Sequence, residues 1–242
     1  MKYWLAYIFV LVLFSCKKEN MFDCLKPFGS VETETRTVSV FNQIVISSKV
    51  NVYLKQDNYY EVSVKAGKNM LSNIHTEAAN GVLTIKDKNT CNFVRDPKNH
   101  IDIYITAPHF KYIKQLGEGT VYCVNTIQED TLIIRIEASG DVHMDINTHL
   151  FDGSTHGNGD CYVSGTTDYF YYNYNGTNFI YASGLNVHSY IYLESHSVGH
   201  AYVNANNIGM DAALFTDGNI YYTGTPAFMH YTSRGKGSVI KE

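Results

Sequence analysis

The sequence predicts an all-β protein whose main part is a three-sided parallel β-helix with about 20 residues in each coil. Two observations predict this fold. From residue 37 onward, short segments rich in Val, Ile, Thr and Tyr alternate with polar turns. From Gly117 onward, a glycine followed by a short β segment recurs at nearly constant spacing. No segment has a convincing helical period, and "KNMLSNIHTEA" is predicted to be a turn followed by a strand.

The first 15 residues are predicted to be a lipoprotein signal peptide. Lys2 precedes an apolar run from Trp4 to Phe14 that is too short to span a bilayer. The run ends in "LFSC", which matches a bacterial lipobox, so Cys16 is the predicted lipidation site and the first residue of the mature chain. Lipid chains on this cysteine would anchor the protein without a spanning helix. An uncleaved hydrophobic amino terminus and an ordinary secretory signal are the alternatives.

The remaining chain is predicted to hold a tether and one domain. Residues 16–36 are polar and form the tether. Residues 37–242 form a single β-helical domain, with an N-terminal β region at 37–116 and Gly-led coils at 117–242. Because an uncovered β-helix end exposes strand edges, we expect the region 37–116 to cover one end.

The charge of the chain and the motifs that it lacks argue against several classes of function. The full chain has a formal net charge of −4 and an isoelectric point of about 6.2, and it has no basic stripe. Nucleic acid is therefore not an expected partner. The sequence contains no Ser-hydrolase, P-loop or dinucleotide-binding motif, and its glycine pairs precede strands instead of helices. We therefore expect no cofactor.

The cysteines beyond Cys16 suggest one disulfide. Four cysteines allow three connectivities, and an exported chain can keep disulfides. We favour Cys24–Cys91, because both residues lie in irregular polar segments. Cys123 and Cys161 lie in the repeats, two coils apart and at different positions, which predicts two free thiols in the core. No CxxC or Cys-His spacing indicates a metal site.

The repeat predicts which side chains face the core. The aligned glycines are Gly119, Gly140, Gly159, Gly176, Gly199, Gly218 and Gly237, at intervals of 21, 19, 17, 23, 19 and 19 residues. The second and fourth residues after each glycine are mostly apolar, so they face inward, and the first and third face outward. Asn178 is a misfit in an inward column. The intervals of 17 and 23 beside it indicate a local shift of register.

The third position after each glycine gives an outward column of rings. Its members are Tyr122, His143, Tyr162, Phe179, Tyr202 and Tyr221. Such a column is a candidate binding surface for a glycan or a surface protein, since sugars stack on aromatic rings and aromatic anchors often dominate interfaces. The alternative is that the rings stack on one another and stabilise the solenoid. The run "DYFYYNYNGTNFIYASG" adds exposed aromatic residues to the middle coils.

Two aspartates share another outward column. Asp141 and Asp160 follow glycines of adjacent coils, so their carboxylates are expected to lie about 5 Å apart. Three hypotheses remain for them: a weak Ca²⁺ site, a glycoside hydrolase pair, or two solvated side chains. The histidines are scattered and predict no metal site.

These features together resemble one known family. The lipobox, the segments "FNQIVISSKVNVYLKQ" and "GVLTIKD", and the Gly-led repeats are similar to the auto-transporter adhesin, head GIN domain family of bacterial lipoproteins. The resemblance covers roughly residues 37–240. It implies a right-handed parallel β-helix and a role in adhesion, but it brings no binding residues with it.

The sequence therefore predicts a lipid-anchored protein of the cell envelope that is not an enzyme. The "KKEN" segment after Cys16 suggests the outer membrane, on its periplasmic or its surface-exposed side. We expect an adhesin-like solenoid that binds a glycan or a surface protein. The alternatives are a polysaccharide-active enzyme on the same fold and a purely structural or homotypic envelope protein.

Overall fold

The computed structural model describes residues 27–90 and 99–242. The predicted signal peptide, Cys16, Cys24 and Cys91 lie outside the described residues. Within these two ranges the chain is almost entirely β, apart from a single 3₁₀ turn at Leu71–Asn73. None of the helical structure found there is long and apolar enough to cross a membrane.

The described residues form a succession of strands, and the predicted polar turns separate them. They are β1 (Val31–Arg36), β2 (Phe41–Ile46), β3 (Asn51–Gln56), β4 (Glu61–Gly67), β5 (Ile74–Ala79), β6 (Gly81–Asp87), β7 (Asp102–Ala107), β8 (Tyr112–Gln115), β9 (Val121–Cys123), β10 (Ile127–Ile136), β11 (Val142–Gly157), β12 (Cys161–Gly176), β13 (Ile180–Ser197), β14 (Ala201–Asn204), β15 (Gly209–Leu214), β16 (Ile220–Thr223), β17 (Phe228–Ser233) and β18 (Val239–Lys241).

From β8 onward the chain winds as stacked parallel coils. Val142 pairs with Cys161, which is 19 residues later, and Ile180 pairs with Ala201, which is 21 residues later. The long strands β11, β12 and β13 bend around the solenoid and contribute to more than one of its walls. One wall, the first wall, contains β7, β3, β9, the first residues of β11, β12 and β13, and then β14, β16 and β18. The predicted β-solenoid is confirmed.

A second long wall runs parallel to the first. It contains β6, β2, β8, the later parts of β10 to β13, and then β15 and β17. Both walls show the same unexpected order at the amino-terminal end. The first coil in the sequence, β2–β3, lies between the coil β6–β7 and the strands β8–β9. The outermost coil at this end is therefore β6–β7.

Antiparallel strands cover that outermost coil. β5 pairs with β6, β4 pairs with β7, and β1 pairs with β4, all in antiparallel orientation. Met70 and Leu71, from the segment between β4 and β5, and Ile74, the first residue of β5, are buried in the core. The region 37–116 thus both builds the first coils and covers their end.

The recurring glycines are explained by close stacking of the backbone. A Cβ atom on Gly140 would lie 2.2 Å from the carbonyl oxygen of Gly119, and a Cβ atom on Gly159 would lie 2.3 Å from that of Gly140. The same contact recurs at Gly218, where the distance is 2.1 Å. Only glycine permits successive coils to approach this closely at this corner.

The solenoid interior is filled by the inward columns that the repeat predicted. Val121, Val142 and Cys161 are fully buried in one column. In the middle coils the core holds aromatic rings, and Gly153 makes room for one of them, since a Cβ atom there would lie 1.9 Å from the Tyr172 ring. Among the cysteines that the structure describes, the free thiols are Cys161 and Cys123, and only Cys161 is fully buried. Cys123 is half-buried, at the end of the short strand β9.

Candidate functional site

A continuous ladder of stacked rings runs along the outer surface of the first wall. Adjacent ring centroids are 4.2 to 5.4 Å apart, and adjacent planes lie within 22° of parallel. From the covered end, the ladder consists of Tyr104, Tyr53, Tyr122, His143, Tyr162, Tyr181, Tyr202 and Tyr221. The parallel register between strands sets this spacing, because it stacks equivalent side chains at the coil repeat.

The structure corrects one predicted member of the ladder. Tyr162 pairs with Tyr181 and not with Phe179. The reason is that Asn178 occupies the corner position that glycine holds in other coils, so the true intervals there are 19 and 21 residues. Phe179 instead takes the first outward position, where its ring meets His200 edge-on at 5.5 Å. The misfit of Asn178 in the sequence alignment was the signal of this shift.

The prediction also missed the two ladder residues nearest the covered end. Tyr53 and Tyr104 lie in the non-repetitive region, before the first aligned glycine. The signal that could have found them is an inward apolar residue followed directly by a ring, as in Val121–Tyr122. The pairs Val52–Tyr53 and Ile103–Tyr104 have the same pattern.

Stacking decides which part of each ring is available to a ligand. Each inner ring uses both of its faces against its neighbours, as His143 does between Tyr122 and Tyr162 at 5.1 and 4.2 Å. The ladder therefore presents ring edges and tyrosine hydroxyls to solvent, and a sugar cannot stack on its inner faces. Tyr104 and Tyr181 are its most exposed members, at 38% and 36%.

Burial in the ladder changes the acidity of its members. Burial lowers the pKa of His143, although the charges of Asp141 and Asp160 act in the opposite direction. Burial, with a further contribution from the Asp160 charge, raises the pKa of Tyr162 to about 12. Both shifts favour uncharged rings near neutral pH.

The two aspartates bind backbone amides of the next coil. The amide of Asp160 donates to Asp141 Oδ1 at 2.8 Å, and the amide of Phe179 donates to Asp160 Oδ1 at 2.7 Å. Asn219 continues the pattern farther along, since its Oδ1 accepts from the amide of Ser238 at 3.0 Å. Burial raises the pKa of Asp160, and the Phe179 amide opposes that change. The described residues contain no group of three or more His, Cys, Asp or Glu placed to hold a metal ion.

A shallow groove lies directly beside the ladder. It encloses about 380 Å³, and the rings of His143, Tyr162 and Tyr181 line one side of it. The other side includes Asp145, Ser164 and Gly184. We call these six residues the ladder groove.

A register irregularity shapes the ladder groove. Tyr162 pairs with Tyr181 but Ser164 pairs with Gly184, so β13 contains one extra residue between these two pairs. Bulges of this kind redirect side chains and often lie next to binding sites. Gly184 is exposed, and a Cβ atom on it would meet only Ser164, with the nearest atom at 3.4 Å. A side chain at this position would therefore project into the groove without straining the backbone.

The second wall carries a differently arranged group of aromatic residues. We call Tyr169, Tyr171, Tyr190, Tyr192 and Phe228 the aromatic cluster. Tyr171 meets the rings of Tyr190 and Tyr192 edge-on at 6.1 and 6.5 Å. The edge-on contacts leave ring faces open, and Tyr171 and Phe228 are 37% and 49% exposed.

Comparison with known proteins places the chain among surface proteins of the same fold. The family model described as "Putative auto-transporter adhesin, head GIN domain" matches residues 40–226. That description indicates a protein of the cell envelope or cell surface. A search of curated proteins finds no match.

Several solved structures have the same fold. A putative adhesin from Bacteroides fragilis has 23% identity and a TM-score of 0.83, over 89% of this chain and 99% of that chain. A putative adhesin from Parabacteroides distasonis has 19% identity and a TM-score of 0.71, over 88% and 98%. Another P. distasonis protein, described as a putative lipid binding protein, has 22% identity and a TM-score of 0.68, over 88% and 97%. At these identities the likeness shows the fold alone.

Proposed function

This chain belongs to the auto-transporter adhesin, head GIN domain family, and from that premise we propose that it is a lipid-anchored adhesin that binds a glycan or a surface protein. The anchor is the lipidated Cys16, which holds the protein on the outer membrane. The lipobox sequence and the family's envelope location support this assignment. The structured domain then extends from the membrane as a rigid solenoid.

The ladder groove is the proposed binding surface. The single observation that carries this assignment is a groove beside the ladder that is walled by ring edges and provided with fixed polar groups. The Thr126 hydroxyl donates to Asp145 Oδ2 at 2.7 Å, which holds that carboxylate at the groove. Tyrosine edges combine an apolar body with a polar tip, so they suit a hydroxyl-rich or peptide ligand.

We further propose that the protein is not an enzyme. The family and two of the three similar solved structures are described as putative adhesins. The pair that the sequence offered for glycoside hydrolysis, Asp141 and Asp160, uses carboxylate oxygens to accept backbone amides of the next coil. A structural role of this kind accounts for both residues without any catalysis.

An array of glycans and extracellular-matrix proteins tests the binding proposal. Gly184→Leu fills the ladder groove from a position with room for a side chain. Asn186→Leu is the matched control, because it adds the same side chain at an exposed position of the same strand outside the groove. We expect the native protein and Asn186→Leu to bind the same array members, and Gly184→Leu to lose at least about tenfold in affinity, which corresponds to about 1.4 kcal/mol.

Two results would count against the proposal. If the native protein binds nothing on the array, the adhesin assignment loses its support and a structural role becomes the better account. If Gly184→Leu binds as well as the native protein, the ligand binds elsewhere. Circular dichroism and the thermal midpoint of both variants verify that the fold is retained.

A further inference from the structure

The two ends of the solenoid are built differently. At the amino-terminal end, β5 and β4 cover the outermost coil, and β1 covers β4. The outer strand β1 reads "VETETR", so its free edge carries Glu32, Glu34 and Arg36. Charged side chains on an edge strand oppose pairing with another chain. This end is therefore protected.

The carboxyl-terminal end has no such protection among the described residues. There, the residue pairings of the described strands join β17 to β15 alone and β18 to β16 alone. Tyr231 belongs to an inward column, above the buried Leu193 and Ala212, yet it is 48% exposed. Phe228 and Ile240 at the same end are 49% and 37% exposed. This end combines an unpaired strand edge with exposed apolar and aromatic side chains, one of which, Tyr231, belongs to the core column, and both features favour association.

We propose that this end docks onto the same end of a second copy of the chain. β17 pairs antiparallel with the partner's β17, and Tyr231 lies on the two-fold axis. The opposite end is a poor alternative, since its edge is charged and head-to-tail contacts would build open fibres in place of a closed dimer. The biological role of this contact, adhesion, rests on the proposed function. The contact itself does not involve the ladder groove.

The sequence of β17 is self-complementary in this arrangement. With Tyr231 on the axis, the inward Met229 lies opposite the partner's Ser233, and the two Tyr231 rings meet, which continues the apolar core across the joint. On the outer surface, Phe228 lies opposite the partner's Arg234. A guanidinium favours an aromatic face, and Arg234 already lies over the Phe215 ring at 5.4 Å. The two Arg234 side chains, which carry like charges, are kept at opposite ends of the paired strands.

The proposed end-to-end dimer would join two membrane-anchored copies of the chain. The proposed anchor at Cys16 precedes β1, which lies at the protected end. The second wall from β6 to β17 spans eight inter-strand intervals, or about 38 Å at about 4.8 Å each. The docking end is thus far from the anchor, and a dimer joins two copies whose anchors lie at opposite extremes. Copies on two facing membranes can pair in this way.

Sedimentation velocity over a wide concentration range tests the contact. We expect the native protein to form dimers that dissociate on dilution. Tyr231→Lys places like charges on the two-fold axis and is expected to remain monomeric. Tyr171→Lys, which replaces another exposed tyrosine of the second wall, is the matched control and is expected to dimerise as the native protein does. A monomeric native protein, or a Tyr231→Lys variant that dimerises normally, would overturn the proposal.

A cysteine variant tests the register. Residues facing each other across an antiparallel pair are close enough for a disulfide. Mild oxidation of Tyr231→Cys is expected to give a covalent dimer, while the native protein and Tyr171→Cys give none. Equal cross-linking of Tyr231→Cys and Tyr171→Cys would exclude the Tyr231 axis. Tyr231→Lys is expected to bind the array as the native protein does, and Gly184→Leu is expected to dimerise as the native protein does. Failure of the dimer proposal is therefore distinguishable from failure of the binding proposal.

Discussion

The ladder and the aromatic cluster use the same kinds of residue to opposite effect. In the ladder, rings lie face to face, as Tyr162 and Tyr181 do with an interplanar angle of 10°. In the aromatic cluster, Tyr171 and Tyr190 meet at 75°. Stacked faces are hidden from ligands and stabilise the coils, whereas edge-on rings leave faces open. Aromatic content alone therefore does not identify a binding surface.

The two walls also differ in the columns beside their rings. In the ladder wall, Tyr162 is flanked by the short polar residues Asp160 and Ser164. In the other wall, two adjacent outward columns are aromatic, with Tyr169 and Tyr171 in one strand. An aromatic neighbour does not by itself prevent flat stacking, because Phe179 lies beside Tyr181 within 14° of parallel.

Removing a ladder ring is expected to have the largest effect on stability. Tyr162→Ala deletes stacking contacts with His143 at 4.2 Å and with Tyr181 at 4.6 Å. Each aromatic contact contributes about 0.5–1.5 kcal/mol beyond area burial, so we expect a loss of about 2–3 kcal/mol in the free energy of unfolding. Urea unfolding followed by circular dichroism measures it. A loss below about 1 kcal/mol would contradict the structural role of the ladder.

Removing a ring of the aromatic cluster is expected to cost less. Tyr171 is 37% exposed, and its nearest ring contacts are edge-on or tilted at 6.1 to 6.5 Å. We expect Tyr171→Ala to lower the free energy of unfolding by no more than about 1 kcal/mol in the same urea experiment. A cost equal to that of Tyr162→Ala would remove the distinction between the two regions.

The pH dependence of stability is expected to show a smaller effect, specific to the ladder. Burial lowers the pKa of His143 in the folded state, so the unfolded chain binds the proton more readily. This contribution to stability is present above the unfolded pKa of about 6.5 and is lost as the pH falls towards the folded pKa.

His143→Phe keeps a ring in the ladder and removes the titrating group. We expect the variant to lose less stability than the native protein between pH 7 and pH 5 in urea unfolding. Tyr122→Phe, at the adjacent ladder position, is the control and should follow the native pH dependence. Identical pH dependence in the native protein and His143→Phe would show that burial of His143 does not control this change.

The repeat region was predictable because its pattern is local. A glycine followed by alternating inward and outward residues fixed the coil length, and it placed Val142 and Cys161 in the core. It failed at one coil, where Asn178 replaces the corner glycine and donates hydrogen bonds to the carbonyls of Gly157 and Asn175 at 3.0 and 2.7 Å. A side chain that replaces a backbone contact is not visible in a glycine-based alignment.

Other features depend on contacts between distant segments. The insertion of β2 between β6 and β8 reverses the order of two coils, and strands of similar composition give no sign of it. The ladder groove depends on one extra residue in β13, which only the pairing of Ser164 with Gly184 reveals. The sequence predicted a surface of rings, but whether those rings show faces or edges depends on their mutual orientation, which the sequence pattern does not contain.

The most direct test of this account compares Gly184→Leu with Tyr171→Ala on the same array of glycans and matrix proteins. The first variant fills the ladder groove, and the second removes the central ring of the aromatic cluster. We predict that Gly184→Leu loses binding and that Tyr171→Ala retains it. The reverse result, with binding lost only in Tyr171→Ala, would contradict the account and assign recognition to the open ring faces of the second wall.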